Sequence, residues 1–306
     1  MNEIQKKLKM LQSVTEKTQV QLARDFGVTI LAFSNWWNGK SIPRQKALRL
    51  INKELSLYGI ENKIENFSET NALKQAVCKL NKKNKNILKT IISRPDLIDE
   101  LSLQITYNSN ALEGSTLTRV DTKNVIFEKK VLGNKTLVEQ LEAKNHDKAF
   151  RYLLENLMVK KQINEQLIKK LHEILLAGIH ENAGKYRNHG VRIVGSYVPT
   201  ANYVKVPELM KKLFLKKQKG DIMEFISRFH ADFEKIHPFA DGNGRIGRLL
   251  LIGMLLQKNM APAIVVKKKR PEYYKCLQQA QLHDNFEILE IFITEAVLKG
   301  YKIISD

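Results

Sequence analysis

At 306 residues and 43% hydrophobic content, the chain is long enough for about two domains with ample core. Its 51 Lys and Arg against 32 Asp and Glu leave a formal charge of +19, which favours acidic partners such as nucleic acid or a nucleotide; part of the excess is the Lys, Asn and Ile usage of an AT-biased genome. Cys78 and Cys276 alone exclude a disulfide framework or a cysteine metal site. The N-terminal run MNEIQKKLKMLQSV lacks a signal-peptide core, and no run approaches the roughly 18 apolar residues that span a bilayer. The expectation is a cytoplasmic protein with no membrane partner.

In chain order, Leu22, Ala23, Phe26, Val28, Phe33, Trp36, Leu48 and Ile51 surround a turn glycine, Gly27, which is the apolar pattern of a helix-turn-helix. The stretch is similar to the Xre/Cro type, with Thr18-Gln19 opening the first helix and Gly39 after the second. Ile30 and Leu31, however, occupy positions where base-reading helices usually carry polar groups. Residues 1–55 are therefore expected to form a small helical module whose partner is DNA or a protein. Residues 56–72 read as a linker and 73–306 as the main domain. The runs KKNKNILK near 82 and KKLFLKKQK near 211 predict solvated helix faces.

Ile222, Phe225, Ile226, Phe229, Phe233 and Ile236 recur at the spacing of a helix with one buried face, and Ile246, Leu249, Leu250, Ile252 and Leu255 do the same. Between them stands HPFADGNGRIGR, residues 237–248, rich in residues that element interiors avoid. The first turn of a helix favours negative charge, yet Arg245 and Arg248 stand there. An anion resolves the conflict. The two arginines share a face and, with the amides of Gly242, Asn243 and Gly244, converge on phosphate oxygens. Asp241 is then a magnesium ligand and His237 a general base.

This run fills every fixed position of the signature His-Pro-Phe-x-Asp/Glu-Gly-Asn-Gly-Arg-x-x-Arg and so resembles the Fic-domain family, whose members mostly transfer AMP from ATP to a protein hydroxyl. The resemblance implies that His237 deprotonates a target Ser, Thr or Tyr and that Asp241 holds Mg²⁺. Gly242, Asn243, Gly244, Arg245 and Arg248 would bind the nucleotide. It extends over roughly residues 70–297. Residues 109–114, SNALEG, are similar to the family's inhibitory motif, and imply that Ser109 and Glu113, on a helix around 105–114, block the γ-phosphate through Arg248. In some relatives that glutamate also supports removal of AMP, so deAMPylation by the same site is implied too. Residues 184–210 resemble the family's flap. A hairpin around 188–204 would dock the target by strand addition, with Val194 and Gly195 beside the nucleotide, although Pro199-Thr200 departs from the frequent Pro-Pro. Tyr273 and Tyr274 align with tyrosines that contact the nucleotide in relatives. Oligomerisation is a common control in the family, which adds a second copy of the chain to the expected partners.

The expected fold is thus all-α, a helical bundle with one short β-hairpin flap, preceded by the N-terminal module. Two alternatives differ in class. A DNA-binding transcriptional regulator would use the main domain only to sense nucleotide. An HD-type phosphohydrolase, suggested by His146-Asp147 and His283-Asp284, would need further metal ligands at definite places.

Overall fold

The computed structural model describes residues 2–15, 17–57, 67–159, 162–193 and 197–305. Four helices come first: α1 (Glu3–Thr15), α2 (Gln19–Asp25), α3 (Ile30–Trp37) and α4 (Gln45–Leu57). Then follow α5 (Phe67–Lys83), α6 (Ile87–Ile92), α7 (Pro95–Leu112), α8 (Arg119–Ile126), α9 (Leu137–Met158) and α10 (Glu165–Leu175). The chain ends with α11 (Val206–Leu215), α12 (Ile222–Ile236), α13 (Asn243–Gln257), α14 (Arg270–His283) and α15 (Glu287–Ser305). No strand occurs among the described residues.

Several of these helices begin where the sequence supplies a cap. Thr18, Thr118 and Thr136 each close a capping box, and the side chains of Thr29, Asn164 and Asp221 accept first-turn amides of α3, α10 and α12. The expected stripe on α12 is real: Ile226, Phe229, Phe233 and Ile236 are buried. Each large side chain so buried stabilises the fold by about 2 kcal/mol, and truncating Phe233 to Ala would cost about 3–5 kcal/mol. Helix α13 is central, packed on α12, α9, α10, α7 and α6. Its apolar residues are buried all round, which explains why its hydrophobic asymmetry is weak in sequence.

Two expectations need correction. The flap is not a strand ladder in the described residues. Its two limbs are joined through side chains, with Thr200 Oγ1 donating to Val191 O at 2.7 Å and Arg187 bonding to both ends. Side chains thus do what cross-strand amides would do. Within the 56–72 segment read as a linker, α4 runs to Leu57 and α5 starts at Phe67; 58–66 lie outside the described residues. The polar start of α5 is carried by its later turns, where Val77 is buried and Lys74 pairs with Glu290 of α15.

Most of the apolar set expected around Gly27 is buried. Leu22, Ala23, Phe26, Phe33, Trp36 and Ile51 are buried, whereas Ile30 and Leu31 are 54% and 72% exposed. Among the described residues no helix is long and apolar enough to cross a membrane. Neither Cys78 nor Cys276 is in a disulfide.

Candidate active site

His237 is the C-cap of α12, with a left-handed backbone (φ 52°) that turns the chain sharply out of the helix. Its Nδ1 lies 3.1 Å from the carbonyl of Glu234. A carbonyl only accepts, so Nδ1 carries the proton and Nε2 keeps its lone pair, the tautomer a general base requires. Burial is the main influence holding the imidazole pKa below the ordinary histidine value. The Arg187 charge pushes the same way, while the Glu234 carbonyl, Glu113 and Asp241 oppose it. The ring is therefore neutral near neutral pH.

The loop from His237 to Gly242 is closed by Asn243, whose amide donates to Phe239 O and accepts from Phe239 N, both at 2.8 Å. It turns into α13 through Gly242 at φ 75°, a conformation natural to glycine. No side chain caps the first amides of α13. Those amides are donors left for something else.

Both arginines are buried, and both are paired. Arg245 bonds to Glu142 at 2.5 Å and to Asp241 at 3.2 Å. Arg248 donates from Nε to Ser109 Oγ at 2.9 Å, and from Nη2 to Ser109 O at 3.0 Å and Glu113 Oε1 at 2.6 Å. Burial is the largest influence and disfavours the Arg248 charge, but Glu113, then Tyr273, Tyr274 and Glu234, together outweigh it and the pKa is raised. Arg248 Nη1 remains buried with no acceptor. Glu113 itself, the C-cap of α7, lies over the start of α13: a Cβ on Gly244 would collide with its carboxylate.

Residues 162–255 match the model of the Fic/DOC family. That segment contains 237–248 and is similar to a Fic domain. The chain is 33% identical over 198 residues to a protein adenylyltransferase Fic of Nematostella vectensis, covering 61% of this chain and 45% of the relative. To the protein of that name from Drosophila mojavensis it is 28% identical over 189 residues, 60% of this chain and 38% of the other. The chain thus spans less than half the length of these curated relatives. Among solved structures, Fic-1 from C. elegans superposes with a TM-score of 0.69 at 20% identity, over 92% of this chain and 94% of that one. A Fic family protein from Desulfovibrio desulfuricans G20 gives 0.63 at 25% identity, over 76% and 73%.

The structure gathers the Fic motif and Glu113 into one place, although Ser109, Glu113 and Glu142 all lie outside the matched segment. Tyr274 borders the cluster. Burial, then Glu113, push its hydroxyl to about 12, and its ring stacks on Arg270. Tyr273 is fully buried, its hydroxyl 2.7 Å from His230 Nε2. Val194 and Gly195 lie outside the described residues. Neither His-Asp dyad builds a metal site: among the described residues no three His, Cys, Asp or Glu side chains come together. His146 is instead buried beside Thr106 and neutral, its pKa lowered to about 3 by burial and then by the two arginines.

Four residues around the Fic motif fall outside the sequence expectations. Glu142 comes from α9 to neutralise Arg245. His172 of α10 stacks on Phe239 at 3.8 Å and holds Asp241 O at 3.0 Å. Glu234, one turn before His237, is buried with its pKa raised to about 8 by desolvation. Arg187 holds the His237 carbonyl. Only Glu234 could have been found early, as an acid on the apolar face of α12; the others act across dozens of residues.

Proposed function

We propose that the chain is a protein adenylyltransferase that moves AMP from ATP to a Ser, Thr or Tyr hydroxyl of a target protein, itself included, and that Glu113 restrains it. The observation that carries this reading is the base-competent His237 beside the uncapped start of α13, with Arg248 engaged by Glu113.

In this reading the triphosphate lies on the free amides of Gly244 and its neighbours, and its outer phosphates take the orphaned Nη1 of Arg248. The target hydroxyl meets His237 Nε2, which accepts its proton. The oxygen forms a bond to the α-phosphorus, the bond to the β-phosphate oxygen breaks, and pyrophosphate leaves. Positioning and charge stabilisation carry most of such a reaction. The residues fit a magnesium ion. Asp241 presents a carboxylate with a 57% exposed side chain, and one protein carboxylate plus phosphate oxygens and waters is how magnesium usually binds. There it would neutralise phosphate charge. Glu113 restrains the site because its carboxylate fills the space over Gly244 and engages Nη2 of Arg248.

Intact mass spectrometry after incubation with ATP and Mg²⁺, together with labelled-AMP probing of a lysate, tests this. Glu113→Gly should gain AMP or label a protein, the native chain less, and Glu113→Gly with His237→Ala not at all. Silence from every variant, with ATP binding confirmed by calorimetry, would sink the reading.

A second reading, a DNA-binding regulator, is favoured by the module at 1–55. There two helices meet at a short turn, and Arg24, Lys40, Arg44, Lys46 and Arg49 are all exposed. Mobility shift on the gene's own promoter, with and without residues 1–55, decides it.

A further inference from the structure

Arg187 is 5% exposed and lies where the chain enters the flap. Its backbone amide donates to Pro238 O at 3.0 Å. Its guanidinium donates from Nε to His237 O at 2.7 Å, from Nη1 to His189 O at 2.8 Å, and from Nη2 to Ala201 O at 2.5 Å and Ile236 O at 3.3 Å. One side chain therefore ties both ends of the 189–201 segment to the last turn of α12 and to the residue with the left-handed backbone. Its acceptors are all carbonyls. Burial lowers its pKa, with no carboxylate acting against that. A buried cation without an anion is costly, and such groups are kept where something depends on them.

We propose that Arg187 is a positioning residue of this site: its forked guanidinium sets the flap and His237 in a single register and places a positive charge beside the imidazole. The inference rests on the role given to His237 above. Lysine cannot replace the fork, since three tetrahedral donors do not match four carbonyls around a plane. The charge has a separate consequence. The groups facing His237 are Arg187 from the flap stem, Glu113 from the end of α7, Asp241 from the motif loop and the Glu234 carbonyl. Among them Arg187 is the one that favours the neutral ring; the other three favour the charged ring. Removing its charge should raise the pH at which His237 takes up a proton, and the base should fail sooner as pH falls.

The two roles separate in two variants, Arg187→Gln, which loses charge and fork, and Arg187→Lys, which keeps the charge. The His237 imidazole is titrated by NMR in histidine-labelled protein, amide exchange is followed over 188–201, and self-modification with ATP is timed in the Glu113→Gly background. In Arg187→Gln we expect the His237 titration to move up by about one unit, flap exchange to rise at least roughly tenfold, and the acid limb of the rate to follow the imidazole, with KM for ATP unchanged. In Arg187→Lys the titration stays near the native value while flap exchange still rises. An unmoved titration together with unmoved flap exchange overturns the proposal. Should Arg187→Gln fail to fold, Arg187→Lys decides, and native flap exchange in it overturns the positioning role. If imidazole and flap respond as expected but no variant transfers AMP, the geometry stands and the adenylyl-transfer reading falls.

Discussion

The chain contains two helix–turn–helix joints that look alike on paper. Helices α2 and α3 meet at Gly27 (φ 64°), and α12 and α13 meet through His237 and Gly242, the latter at φ 75°. At the first joint the sequence satisfies the second helix: Thr29 Oγ1 accepts from Ala32 N at 3.2 Å, and α3 carries no charged residue. At the second joint α13 has no side-chain cap and starts with two arginines, each neutralised by acids from elsewhere. A helix start that its own sequence completes is architecture. One left open and held in check from a distance is a place for a ligand.

The sharpest way to break this comparison is His237→Ala in the Glu113→Gly background. Loss of a general base should lower AMP transfer by about 10²–10⁴, read as labelled product, with the fold retained by circular dichroism. Transfer at the parent rate would reduce the second joint to architecture as well.

Next comes Glu113→Gly alone. It leaves Arg248 buried without its anion, so thermal unfolding should show a loss of roughly 1–3 kcal/mol, moderated because Glu113 is partly exposed. ATP should restore more of the melting temperature in this variant than in the native chain, because only there is the space over Gly244 clear and Arg248 released from Glu113. Equal restoration in both would refute the blocking role of Glu113.

Acid should separate the joints a little less strongly. His146 and His230 are held near 3 and His172 near 4, all chiefly by burial, well below an unfolded histidine. Their contribution is present above about pH 6.5 and lost as pH falls toward those values. Glu234, raised to about 8, contributes oppositely, its share being lost as pH rises through that value. From about pH 7.5 to 5.5 the three histidines outweigh the one acid by roughly 1–2 kcal/mol. Residues 1–57 contain no histidine. Hydrogen exchange at pH 5.5 should therefore rise around α12 and α13 before it rises in α2 and α3.

The smallest effect belongs to the first joint. Thr29→Ala removes the α3 cap and should cost about 1 kcal/mol by urea unfolding of the chain, leaving AMP transfer unchanged.

How far the sequence reached follows the same division. The helices flanking 237–248 are legible because their apolar periods are local, and so is the opening of α2 at Thr18, a cap that acts over three residues. The resemblance of 184–210 implies a hairpin flap, yet its limbs are fastened through Thr200 and Arg187; β-branched residues such as Val191 and Ile193 signal an extended chain without saying what it pairs with. The arginines of α13 broke the dipole rule in sequence, and an anion was the expected answer. In the structure Glu142, Asp241 and Glu113 already supply the negative charge, leaving one buried Nη1 of Arg248 without an acceptor.

By itself the sequence determined the helical class, the two joints and the residue types of the Fic motif, because each is set by neighbours within a turn or two of chain. Tertiary structure alone decided that Glu142 reaches Arg245 across 103 residues and that Arg187 locks the flap to His237 across 50; that Glu113 meets Arg248 across 135 is a pairing the family resemblance implies and the packing supplies. Those contacts depend on how helices pack around α13, and no local spacing encodes a pairing made across the core.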